Sequence, residues 1–135
     1  MAALIRNEML YTLKTEIYHF SVSLLDFFVI WAVFKDARFG ALAFAVAFFV
    51  DVDHLLDYFL AEGCRLDLKS FLSGRYLGKG QRLLIIFHAW EYVLVLFVLY
   101  ILTHNPVFAS LSIALFSHLC VDVITNRQVV NLGYF

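Results

Sequence analysis

Residues 49–59 read FVDVDHLLDYF, setting Asp51, Asp53, His54 and Asp57 into an otherwise apolar run. The same chemistry recurs along the chain. FHAWEYVL at 87–94 carries His88 and Glu91, SHLCVDVITN at 117–126 carries His118 and Asp122, and Glu16 precedes His19. Residues three or four apart share a helix face, so each stretch offers a carboxylate beside an imidazole. Imidazole nitrogen with carboxylate oxygen is a donor set for zinc, iron or manganese. The two cysteines, Cys64 and Cys120, show neither a CxxC spacing nor a disulfide pattern, so thiolate ligation is not expected. The expected ligands of a divalent metal, zinc first and iron or manganese as alternatives, are His19, Asp51, His54, His88, His118 and Asp122. Asp57 and the deeper Asp26 are expected to support them. Glu91 and Asp53 are the candidates to accept or deliver a proton.

The elements that must position these residues follow from composition. The 135 residues are 63% hydrophobic and 18% aromatic, with a single proline and a mean hydropathy of +0.84. Soluble domains hold about 45–50% apolar residues, so the chain reads as one all-α integral membrane domain over 1–135. A helix needs about 20 apolar residues to cross a hydrocarbon core, and four stretches qualify, near 17–34, 40–60, 83–103 and 106–125. Together they predict a four-helix bundle. The first 16 residues, mixing Leu4, Ile5, Met9 and Leu10 with Arg6, Glu8 and Lys14, suit a short interfacial helix. They lack the positive start and unbroken apolar run of a cleavable signal.

Eight of the ten Lys and Arg fall in the amino-terminal segment, the 61–82 loop and the tail. The positive-inside bias then places both termini in the cytoplasm of an inner, multi-pass membrane protein. On that topology His19, His54, His88 and His118 share one end of the bundle. The last three each lie about 8–10 Å inside their span ends at 1.5 Å per residue, whereas His104 lies at the far end. Ionisable groups are costly in a bilayer, about 2.5–3.5 kcal/mol each even on lenient scales, and should face inward and find partners. Interhelical hydrogen bonding would use any one of them, but it gives no reason for four imidazoles at one depth.

With VDVDHLL at 50–56, FHAWEYVL at 87–94 and SHLCVDVITN at 117–126, the order of motifs resembles the small bacterial and archaeal inner-membrane proteins described as membrane-bound metal-dependent hydrolases, linked to zinc-dependent phospholipases C. Those carry an early His, a Pro-Asp-x-Asp-His motif, a His-Arg-Gly-x-Thr-His motif and a His-Leu-x-x-Asp motif. By that resemblance His19 is the early histidine, Asp51, Asp53 and His54 fill the second motif, His88 opens the third, and His118 with Asp122 form the last. Val50 stands where the proline would be, and Glu91 and Tyr92 where a second histidine would be. The resemblance implies hydrolysis of a lipid ester or phosphoester by a metal-activated water, with membrane lipid as both solvent and substrate.

Arg75, Lys79 and Arg82, in SGRYLGKGQR at 73–82, are the candidate headgroup contacts. A net charge of −1 suggests no nucleic-acid partner. Two other classes fit the same residues. Glu16 to His19 matches the Glu-x-x-His element of di-iron bundles, which implies an oxidoreductase, and a non-catalytic metal-binding or adaptor protein needs only the polar cluster. Oligomeric state is left open by the sequence. In a cysteine-free background, single cysteines placed in 61–82 should resist impermeant maleimide added to intact cells, while those at 35–39 should react. The reverse pattern would overturn the topology.

Overall fold

The computed structural model describes residues 2–72 and 88–125, without the side chains of 2–9, 53, 69 and 72. The described chain is all-helical: α1 is Ala2–Phe34, α2 Ala37–Phe49, α3 Val52–Glu62, α4 Leu68–Leu72, α5 Trp90–Thr103 and α6 Pro106–Thr125. Three stretches, Leu10–Phe34, Ala37–Glu62 and Pro106–Thr125, are long and apolar enough to cross a membrane. The described part of the third expected span, α5, is a shorter apolar helix of 14 residues; positions 83–87 lie outside the described residues. The expected interfacial segment does not form a helix of its own, because no Gly or Pro interrupts residues 2–34 and α1 runs through as 33 residues.

The helix ends are locally encoded. Lys35 adopts a left-handed conformation (φ 56°) after α1, and Asp36 caps α2 by accepting from the Arg38 backbone N–H at 2.9 Å. The Arg38 guanidinium donates to both Asp36 oxygens and holds that carboxyl below the usual carboxylate range. Asn105 caps α6 through Val107 N–H at 3.0 Å, with Pro106 in the first-turn position that needs no N–H donor. His104, left-handed at φ 52°, closes α5 at this same end.

α6 is the central helix, packing on α1, α2 and α5, while α2 packs between α1 and α6. α5 leans on α6 and buries no residue completely. The core is made of small side chains, Ala43, Ala47 and Ala114 around Ile30, with Phe34, Phe39 and Val46 against them. Outward-facing Leu24, Leu25, Phe28, Trp31, Leu94, Phe97, Leu102 and Phe116 are all exposed, as expected for helices solvated by lipid rather than water. Small residues at a helix contact let backbones approach, the usual route to helix association in bilayers.

Gly40 is the closest such contact. A Cβ there would stand 2.6 Å from the Phe27 carbonyl oxygen, a backbone atom that cannot swing aside. Gly40→Ala should therefore force α1 and α2 apart and cost about 1–3 kcal/mol, the range typical of overpacking. It would be read as a lower thermal midpoint in detergent, with exposed Ala41→Leu as the neutral control; an unshifted midpoint for Gly40→Ala would contradict the packing.

Candidate metal centre

The expected second span is broken. Asp51, at φ −68° and ψ 3°, separates α2 from α3 and makes no side-chain cap bond. Its carbonyl accepts from His54 N–H at 3.0 Å in a tightened turn. Freed from capping, the Asp51 carboxylate turns toward α6 and the residue preceding α5. His88 is not on a helix, contrary to its expected place inside span 3; it lies just before the Ala89 cap of α5. His118 and Asp122 occupy one face of α6, as their spacing predicts.

These residues converge. His118 Nε2 stands 3.2 Å from Asp51 Oδ1, 3.2 Å from Asp122 Oδ2 and 3.3 Å from His88 Nε2. His88 Nε2 is in turn 3.0 Å from Asp51 Oδ1 and 3.5 Å from Asp122 Oδ2. Two triangles of donor atoms thus share the edge between the two imidazoles. Ligands about 2.0–2.1 Å from a tetrahedral ion stand roughly 3.3–3.4 Å apart, so both triangles are of the size a metal requires.

The tautomer of His118 follows from its other nitrogen. Nδ1 lies 2.9 Å from the Ala47 carbonyl oxygen, which can only accept, so Nδ1 carries a hydrogen. In the neutral ring Nε2 then presents a lone pair to two carboxylates and a second imidazole. A backbone carbonyl fixing the remote nitrogen is the common support of a ligating histidine. The His118 side chain is almost completely buried, at 1% exposure.

His19 and His54 flank this centre. His19 Nε2 is 3.4 Å from Asp122 Oδ1, its ring lies on His118 with centroids 4.3 Å apart, and its buried Nδ1 has no hydrogen-bond partner among the described residues. His54 Nε2 is 3.7 Å from Asp51 Oδ1, and its Nδ1 is 4.0 Å from the buried Asp57. All six expected ligands therefore meet, brought in by α1, the α2–α3 break, α3, the residue before the α5 cap and α6. They divide into two groups of three compact enough for an ion: His19, His118 and Asp122, and Asp51, His54 and His88.

The remaining expected residues are placed differently. Asp57 sits beside His54 as a supporting group should. Asp26 is buried deeper in the bundle and accepts from Ser117 at 2.5 Å. Glu91 is exposed in the first turn of α5, and no contact described above joins it to the cluster. The Asp53 side chain and Arg75, Lys79 and Arg82 lie outside the described residues. Two neighbours of the cluster stood outside the expected ligand set. The Ala47 carbonyl leaves no sequence signal, and Glu16, within electrostatic reach of His19, His54 and His118, was marked only by its spacing from His19.

Comparison with known proteins gives no match: no family model, no curated protein and no solved structure matches this chain. His88→Ala and His118→Ala should each at least halve bound zinc by elemental analysis of monodisperse protein. His104→Ala, at the opposite end of α5, should leave it unchanged. Equal zinc content in all three would disprove ligation.

Proposed function

We propose that the chain is a multi-pass membrane enzyme, with both termini cytoplasmic, in which a divalent cation held by Asp51, His88, His118 and Asp122 supports hydrolysis of a lipid ester or phosphoester. The observation that carries the reading is the Nε2 of His118, whose neighbours are two carboxylate oxygens and a second imidazole nitrogen. With His118 in that tautomer and His88 presenting a lone pair at Nε2, the four groups would repel one another unless a cation lay among them. Protons alone satisfy the set poorly, since one N–H cannot serve three acceptors, and protonating both imidazoles would face two N–H groups at 3.3 Å.

A divalent ion held there would supply a water of pKa about 7 and a Lewis acid for a phosphoryl or acyl oxygen. The chain's own residues do the rest. Ala47 holds His118 in the ligating tautomer, Asp51 and Asp122 supply negative charge, and Asp57 beside His54 is placed to take or return a proton. His118 lies about 10 Å from the end of α6 at 1.5 Å per residue, a depth that favours a substrate entering sideways from the leaflet. The motif order resembling membrane-bound metal-dependent hydrolases supports the same class.

The test is zinc-loaded protein in vesicles containing phospholipid or a neutral diacyl ester, with release of acyl chain or headgroup measured. Turnover should vanish in His118→Ala and on chelation, and return with zinc. Absence of turnover on every lipid, from protein that binds zinc stoichiometrically, would remove the hydrolase reading and leave a metal-binding protein.

A further inference from the structure

The cluster has more donors than one ion uses. A closed tetrahedral site takes about four protein ligands, yet four imidazoles and two carboxylates gather here. The outer pair is not surplus packing. His19 Nε2 approaches Asp122 through Oδ1, at 3.4 Å, while Oδ2 of the same carboxylate faces His118 and His88. A carboxylate whose two oxygens serve different nitrogen groups is disposed to bridge. On the other side, Asp51 Oδ1 lies between His88 and His54, at 3.0 and 3.7 Å.

We propose that the cluster holds two divalent cations, one among His19, His118 and Asp122 and the other among Asp51, His54 and His88. Within each triad the donor atoms lie within 4.8 Å of one another. The triads also touch, through Asp51 with His118 at 3.2 Å and Asp122 with His88 at 3.5 Å. Two-metal hydrolytic sites keep their ions about 3.5–4 Å apart, a separation that such adjoining triads suit.

Charge favours the pair. Among the described residues Asp51, Asp122 and Asp57 contact these imidazoles, and Glu16 lies within their electrostatic reach. Against these carboxylates one dication leaves the set net negative, whereas two balance it. Two adjoining cations with open positions suit an oxyanion able to span both, such as a phosphoester. The inference rests on the metal reading above and sharpens its substrate from lipid esters in general to phosphoesters.

Metal-free wild-type protein in detergent would be dialysed against zinc alone and its bound metal counted, and a parallel manganese-loaded sample examined by electron paramagnetic resonance. The expected result is two equivalents of zinc and a spin-coupled manganese spectrum. His19→Ala and His54→Ala should each retain one equivalent, with an uncoupled spectrum. Saturation of the wild type at one equivalent, without coupling, overturns the two-ion centre and leaves the metal reading standing. Two equivalents retained in His19→Ala overturn its ligand assignment. No bound metal in the wild type overturns both, and because stoichiometry and coupling are read on the wild type, a variant that fails to fold does not decide the outcome.

Discussion

The imidazole of His118 ties the two halves of the molecule together. One nitrogen donates to the carbonyl of Ala47 on α2, and the other faces carboxylates from the α2–α3 break and from α6 itself. That arrangement demands that α2 and α6 approach closely at this level, which the Ala43, Ala47 and Ala114 contact permits. A larger residue at any of these positions would move the accepting carbonyl away from the ring. Helix packing and donor geometry are thus one constraint, and the small-residue seam exists where the polar cluster needs it.

The break at Asp51 is the second half of the same design. In an unbroken helix through 37–62, Asp51 and His54 would share a face and meet one neighbour together. With the helix interrupted, the Asp51 side chain is released from the helical array and reaches two imidazoles from other elements. Broken backbone deep in an apolar span is tolerated where its polar groups are satisfied by protein or line a cavity. Here the Val50 N–H still bonds to Val46 and the Asp51 carbonyl accepts from His54, so the cost of the break is contained within the turn.

Much of this was legible in the sequence. Apolar length alone revealed the all-helical class and four candidate spans, three of which are helices long and apolar enough to cross a membrane, while the third, over 83–103, has a shorter described helix. The six clustered residues were visible because helical spacing paired each imidazole with a carboxylate and because their distances from the span ends agreed. Spacing could not reveal that His88 stands outside α5. It read 83–103 as one apolar run, and the helix start is set by local backbone geometry at Ala89 that hydropathy does not register. The exposure of Glu91 follows from the same error, since a shared helix face with His88 was the reason to expect it near the site. The Ala47 carbonyl was invisible for a different reason: every residue has one, and only the α2–α6 contact selects it.

The central claim is that imidazoles and carboxylates from separate helices bind a divalent cation directly. The most direct measurement is the X-ray absorption spectrum at the zinc edge of purified protein loaded with one equivalent of zinc. The account predicts a shell of nitrogen and oxygen near 2.0–2.1 Å, with outer-shell scattering from at least two imidazole rings and no sulfur. A spectrum lacking imidazole scattering, or a sulfur shell near 2.3 Å, would contradict it.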